Sequence, residues 1–241
     1  MRYGVFSDVH SNTEALDAVL ALFKKERVER YLCVGDIVGY GAEPCECIAK
    51  IRALRGETVG GNHDFACVGL LSVEDFNPFA REAILWTQKV LGPEETHFLR
   101  SLKNVSRFDD ITLVHGSLDF PEEFRYIFDM EDAGETLALL ETKVCFVGHS
   151  HLPMVASIDR EKVLHPQEGR AEMEEDRRYL VNVGSVGQPR DGDPRACCAI
   201  FDSQQSFVEI KRVPYNISST QKKIIQAGLP PMLAARLSEG R

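Results

Sequence analysis

Five short polar stretches combine imidazoles with carboxylates and an amide: Asp8-Val9-His10, Gly35-Asp36, Gly61-Asn62-His63-Asp64, His115-Gly116 and Gly148-His149-Ser150-His151. Five of the chain's 7 histidines lie in them; the other two, His97 and His165, fall in an expected helix and an expected loop. Mixed nitrogen and oxygen donors suit Zn, Fe, Mn, Co or Ni, whereas all-oxygen sets suit Mg or Ca. So many donors exceed what one tetrahedral ion takes. They fit two ions sharing a bridging carboxylate, the arrangement of two-metal hydrolases.

The elements that must position these stretches follow from periodicity. Residues 3–7, 31–34 and 57–59 read as strands, each running into one of the polar stretches. After the first, Ser11 stands three before Glu14, a capping-box spacing, and Ala15, Leu16, Val19, Leu20 and Phe23 recur at helical intervals. Residues 43–54 read as a second helix. Three strand-then-helix units predict a parallel sheet flanked by helices, with ligands at the carboxyl ends of its strands. A helical insert is expected over 73–102, broken at Pro78 and Pro93. Strands follow at 105–108, 111–114 and 144–147, with a helix at 131–141 between. The remainder reads as β at 153–158, 161–164, 179–183, 196–201 and 206–212, with a charged loop at 168–178. Helical pieces at 219–227 and 230–238 close the chain. Glycines beside the polar residues allow sharp turns and close backbone approach.

The order DVH, GDIV, GNHD, VHG, GHSH resembles the calcineurin-like metallophosphoesterase superfamily, with all five blocks present between residues 8 and 151. That resemblance implies an α/β fold in which two mixed sheets pack as a sandwich between helices, here as a single domain over 1–241 with a helical tail from about 219. It implies that Asp8, His10 and His151 hold one ion, that Asn62, His115 and His149 hold the other, and that Asp36 bridges them. It also implies that His63 protonates the leaving oxygen, with Asp64 orienting or charging it. The cofactors implied are two divalent transition-metal ions, with manganese favoured. The activity implied is hydrolysis of a small phosphodiester or a nucleotide-type phosphoanhydride.

Protein Ser/Thr phosphatases of this superfamily carry an arginine in GDxVDRG. Here Gly39-Tyr40-Gly41 follows GDIV, which counts against a phosphoprotein substrate. The stretches GDIVGYGAEP and VNVGSVGQPRDGDPRA are similar to a bacterial group related to diadenosine tetraphosphatases. A phosphomonoesterase or protein phosphatase, and a non-catalytic scaffold of the same fold, are the alternatives. Scaffold members typically lose metal ligands or the histidine acid, and none is lost here.

Other residues admit two readings at this stage. Asn62 serves as a ligand or as a turn former, and Asp64 as a cap or as a support for His63. Arg190 clamps a substrate phosphate or pairs with Asp191 or Asp193. Tyr40 and Tyr126 stack on a nucleobase or simply pack, and the aromatic stretch Phe120 to Phe128 is expected to wall the pocket.

The 241 residues have 44% hydrophobic and 27% charged content, ordinary for a globular chain. The formal charge of −9 argues against nucleic-acid partners and against docking on anionic membranes. No apolar run reaches the ~18 residues of a membrane helix, and the first residues lack a signal-peptide core, so a cytoplasmic enzyme is expected. Cys33, Cys145 and Cys197 sit in apolar runs and are expected as buried thiols. Cys45 and Cys47 lack a partner pair at zinc-ribbon spacing. The partner expected is a small phosphorylated substrate, and a homo-oligomer stays open.

Overall fold

The computed structural model describes residues 1–157 and 169–241. The strand expected at 161–164, His165 and the first residue of the charged loop lie outside the described residues. The described residues form eleven strands: β1 (Arg2–Phe6), β2 (Arg30–Cys33), β3 (Glu57–Thr58), β4 (Val105–Phe108), β5 (Ile111–Val114), β6 (Val144–Val147), β7 (Met154–Ser157), β8 (Gly169–Glu172), β9 (Tyr179–Asn182), β10 (Ala196–Asp202) and β11 (Phe207–Val213). The α-helices are α1 (Thr13–Lys25), α2 (Pro44–Leu54), α3 (Asn62–Cys67), α4 (Pro78–Val90), α5 (Pro93–Ser101), α6 (Met130–Leu139), α7 (Ile217–Gln226) and α8 (Pro231–Ala235).

The strands form two mixed sheets, ordered β3-β2-β1-β10-β11-β8 and β4-β5-β6-β9-β7. Strands β1, β2 and β3 are parallel, as the three strand-helix units predict. The other neighbour of β1 is the antiparallel β10, so this sheet is mixed rather than wholly parallel.

Period-2 alternation explains the layering. Val5 and Leu32 face the second sheet, where they meet Leu113, Phe146 and Val181. Their neighbours Phe6 and Cys33 face the opposite way, onto Leu16, Val19 and Phe23 of α1 and Ile48 and Ile51 of α2. In the second sheet Val114, Cys145 and Val147 turn outward onto Ala133 and Leu137 of α6. Central strands are thus buried on both faces between helices, giving four layers. Burying the side chains shared between the sheets stabilises the stack by roughly 1.5–3 kcal/mol per large aliphatic residue.

Some expectations need correction. The helix after β1 is capped by Asn12, whose side chain accepts from Ala15 N, and not by Ser11. Glu14 instead pairs with Lys223 at 2.6 Å. Pro78 and Pro93 begin helices rather than break one, because proline's missing N–H is harmless at the first helical position. Asn62 opens α3, so the third polar stretch is partly helical. Residues 169–172 of the expected charged loop form the edge strand β8, paired with β11.

The carboxyl-terminal helices fold back toward the active rim of the first sheet. Lys223 bridges Glu14 and Glu43, and Thr220 donates to Asn12 Oδ1 at 3.0 Å. Among the described residues no helix is long and apolar enough to cross a membrane. None of the seven cysteines is in a disulfide, and six of them, including Cys33, Cys145 and Cys197, are buried.

Candidate metal centre

The carboxyl ends of β1, β2, β3, β5 and β6 meet across the two sheets. The backbone there leaves the strands sharply. Asp8, His10, Asp36, Tyr40, His149 and His151 all have left-handed φ, between 48° and 67°. Each such non-glycine residue costs of order 1–3 kcal/mol, so the surrounding structure must hold it in place. The turns lock one another: His10 N donates to Asp36 O at 3.0 Å, Gly148 N to His115 O at 3.0 Å, and Gly187 N to Asp8 O at 2.9 Å. Gly61 is required by close approach, since a Cβ there would stand 2.1 Å from Asp36 Oδ1.

These turns bring six of the seven expected ligands together. Asp8, His10 and His151 form one buried group with ligand atoms within 4.8 Å of one another, and Asp36, His115 and His149 form another. Asp36 Oδ2 lies 3.2 Å from His115 Nε2 and 3.7 Å from His10 Nε2, so it faces both groups. Asp8 Oδ1 lies 3.2 Å from His151 Nε2 and 3.9 Å from His115 Nε2. A third group, His10, Asp36 and His63, also falls within 4.8 Å.

Three backbone carbonyls fix the tautomers. His10 Nδ1 donates to Val38 O at 3.1 Å, His115 Nδ1 to Val34 O at 2.7 Å, and His151 Nδ1 to Gln188 O. Each Nε2 is left to point inward with its lone pair, as in histidines that bind metals. Sequence reading missed these three partners, because a carbonyl carries no residue-type signal.

His10 Nε2 and His151 Nε2 then face each other at 3.2 Å. With both Nδ1 atoms donating, this contact sets two lone pairs against each other. Burial keeps His10 well below the usual imidazole range against the pull of Asp36, and burial, with the Arg190 charge adding to it, lowers His151. Asp8 Oδ1, Asn62 Oδ1 and His115 Nε2 are buried without a hydrogen-bond partner. Buried polar atoms are rarely left unpaired, and the cost is about 1–3 kcal/mol each. A donor set of imidazole nitrogens and carboxylate and amide oxygens, converging with orphaned lone pairs, fits divalent transition metals.

The electrostatics agree. Burial would lower His115, but Asp36 and Asp8 outweigh it and hold the imidazole up at about 9. His149 is pushed down to about 3 by burial and by His115.

His63 is buried among Tyr40, His10 and Phe76, with ring centroids at 4.5, 4.9 and 5.1 Å. Its N–H is held by Asp36 Oδ1 at 2.9 Å. Its Nδ1 is sealed against Gly39 without a partner, so Nε2 is the nitrogen left to meet a substrate. Burial and the Arg190 charge lower its proton affinity to about 4, against the pull of Asp36.

The Asp64 carboxylate is bonded by backbone amides. Oδ1 accepts from Ile37 N at 2.9 Å and Val38 N at 3.1 Å, and Oδ2 from Gly61 N at 3.0 Å. It ties the second turn to the start of α3, which is the capping alternative. Burial, with Asp36 adding to it, raises this carboxyl to about 7.

The three residues expected to touch substrate also converge, in different ways. Arg190 donates to Tyr40 Oη at 3.3 Å and to Gln188 Oε1 at 3.1 Å, and not to Asp191 or Asp193. Asp191 is taken by Arg212, and Asp193 by Arg195 and Arg212. Tyr40 is only 5% exposed and its ring lies against His10 and His63, so it packs and cannot stack on a base. Tyr126 is 45% exposed and lies flat on His149, with centroids at 3.8 Å and planes at 16°. Phe128 stacks on Tyr126 in turn at 5.1 Å, so the Phe120 to Phe128 segment does flank the centre.

Comparison with known proteins agrees with this geometry. A family model described as a calcineurin-like phosphoesterase superfamily domain matches residues 1–206. An uncharacterized protein of Methanocaldococcus jannaschii is 42% identical over 246 residues, covering 98% of this chain and 97% of that protein. The crystal structure of a metallophosphoesterase from Sphaerobacter thermophilus is 42% identical, with a TM-score of 0.90 over 100% of this chain and 99% of that one. A hypothetical protein of Pyrococcus horikoshii shares the fold at 20% identity, with a TM-score of 0.83 over 100% and 98% of the two chains. With the family matched over most of its length, the chain belongs to the calcineurin-like phosphoesterase superfamily and is a phosphoester hydrolase.

Proposed function

We propose that this enzyme hydrolyses a small phosphodiester or a nucleotide-type phosphoanhydride at a centre of two divalent transition-metal ions, with manganese favoured. The observation that carries the reading is Asp36 Oδ2, which faces imidazole nitrogens of both ligand groups. Asp8, His10 and His151 would hold one ion, Asn62, His115 and His149 the other, and Asp36 both. Such ions supply positive charge to phosphate oxygens and lower the pKa of a bound water to ~7.

The chain's own residues do the rest. The carbonyls of Val34, Val38 and Gln188 hold the imidazoles in their metal-binding tautomer. His63 donates a proton from Nε2 to the leaving oxygen, since an alkoxide leaves poorly unprotonated. An entering phosphate anion supplies the counter-charge that raises His63 toward the imidazolium form. Asp36 Oδ1 fixes the His63 backbone while its other oxygen serves the metals. A cytoplasmic site of action is supported by seven cysteines of which none is in a disulfide.

The test is a metal-reconstituted screen of monoesters, diesters, cyclic nucleotides and dinucleoside polyphosphates, run beside His63→Ala. Diesters or phosphoanhydrides should lead. The variant should keep its metals yet lose turnover by about 10²–10⁴-fold on alkyl esters and much less on nitrophenyl esters. Equal losses on both would remove the proton-donor role, and preference for monoesters would overturn the substrate class.

A further inference from the structure

Two of the carbonyls that orient the imidazoles are held in different ways. Val34 O, which accepts from His115 Nδ1, immediately follows β2, and Val34 N donates to Phe6 O of β1 at 2.9 Å. The parallel pairing of β1 with β2 therefore fixes it. Gln188 O, which accepts from His151 Nδ1, belongs to the loop between β9 and β10, outside any strand or helix. No ladder aims that carbonyl, so the groups around the loop must.

One side of the loop is tied to the end of β1. Val186 N donates to Ser7 O at 3.0 Å and Gly187 N to Asp8 O at 2.9 Å. A Cβ on Gly187 would stand 1.9 Å from Val9 O, so the two backbones are in direct contact. The peptide that joins Gly187 to Gln188 is then held at both ends. Its N–H donates to Ser185 Oγ at 2.8 Å, and that hydroxyl donates to Asp8 O at 2.9 Å. Its carbonyl, Gly187 O, accepts from Asn12 Nδ2 at 3.0 Å. Asn12 is buried and both polar atoms of its side chain are committed. Oδ1 caps α1 by accepting from Ala15 N at 3.1 Å, and it also accepts from Thr220 Oγ1 at 3.0 Å. A backbone N–H on one atom and a backbone carbonyl on the other leave one orientation for the amide. Thr220 shares its hydroxyl hydrogen with Glu14 Oε2 at 3.2 Å, and Lys223, three residues along α7, pins that helix to Glu14 and Glu43. Thr220 lies beyond residue 206, where the family match ends.

We propose that Asn12 is a positioning residue for one of the two ions: it fixes the Gly187–Gln188 peptide so that Gln188 O orients His151, and Thr220 of the carboxyl-terminal segment holds Asn12 in place. The inference rests on the function proposed above. It makes the two halves of the centre unequal. The half formed by Asp8, His10 and His151 depends on a loop and on the tail, whereas the imidazole of His115 in the other half is oriented by the sheet. It also gives residues beyond the family match a part in metal retention.

Calorimetric titration with manganese alone, on wild type and variants, tests the assignment. Asn12→Ser keeps a good cap on α1 and changes no charge, but it lacks the amide that Gly187 O accepts from. It should weaken one ion by about tenfold or more and leave the other within about twofold, as when an outer partner of a single ligand is removed. Thr220→Val keeps the side chain's shape and should weaken the same ion by about threefold, with Thr220→Ser restoring it. In Asn12→Ser crystals at limiting manganese, the anomalous peak should fall among Asp8, His10 and His151 and persist among Asn62, His115 and His149. Metal-free variants that melt lower while both affinities stay unchanged would leave Asn12 a helix cap only and overturn the inference. Equal weakening of both ions, or loss on the Asn62 side, would overturn it as well. Wild type that takes up a single ion would instead refute the two-ion reading beneath it, whatever the variants do.

Discussion

Replacing Asp36 by asparagine keeps the side chain's size and removes its charge. The Asn carbonyl oxygen can still accept from His63 N, as Oδ1 does at 2.9 Å. The other end becomes an amide that cannot bind a cation from two sides, where Oδ2 now faces His115 and His10 at 3.2 and 3.7 Å. The magnitude follows from linkage. An ion at a hundredfold excess over its dissociation constant stabilises the folded state by about 2.7 kcal/mol, and two ions by about 5 kcal/mol. For a chain of this size each kcal/mol moves Tm by roughly 2–4 °C. Wild type should therefore melt about 10–20 °C higher with manganese than with chelator. In Asp36→Asn this gap should shrink to about 3 °C or less on the same conversion. Scanning calorimetry of both proteins in the two conditions is the assay. A variant that keeps the wild-type gap would refute Asp36 as the shared ligand.

Other perturbations address the surrounding structure. Asp64→Asn turns one of its oxygens into a donor facing an amide N–H of Ile37, Val38 or Gly61. It should destabilise the protein by about 1–3 kcal/mol and lower metal occupancy, seen in denaturant melts and metal analysis. Unchanged stability with lost turnover would instead restore a catalytic role. Gly61→Ala forces a Cβ against Asp36 Oδ1 and should cost about 1–3 kcal/mol together with metal affinity, measured by melting and by metal titration. The Glu14–Lys223 pair predicts a pH dependence. Burial alone would raise Glu14, but bonds from Lys223 and Ser219 outweigh it and hold it below the ordinary range. Its stabilisation is present above the unfolded carboxylate pKa and is lost as pH falls through the lower folded value. Melting temperature should therefore drop below about pH 4.5, and Lys223→Met should flatten that slope. Identical slopes would show that the pair does not anchor the tail.

Much of the centre was readable in the sequence because its chemistry is written in residue type. His10, Asp36, His115, His149 and His151 had to lie at strand ends to meet, and β5 and β6 begin and end where their apolar runs do. Those strands are buried on both faces, so their sequences are short unbroken apolar stretches bounded by polar turns. β8 was not legible, since Gly169–Glu172 is an edge strand with charged, exposed positions that forms only because β11 supplies its hydrogen bonds. The helix cap shifted from Ser11 to Asn12 because Ser11 is itself in a left-handed turn, at φ 55°. The role of Asp64 was hidden because its partners are backbone amides. Residue type left Tyr40 open between stacking and packing, because the carboxyl-terminal helices that cover it are distant in sequence.

The most direct test is a crystal of the protein soaked in manganese, with anomalous scattering recorded at the metal edge. Two peaks about 3.5–4 Å apart are predicted. One should lie among Asp8, His10 and His151, the other among Asn62, His115 and His149, with Asp36 touching both. A single peak, peaks elsewhere, or ligand side chains turned away from any density would contradict the account.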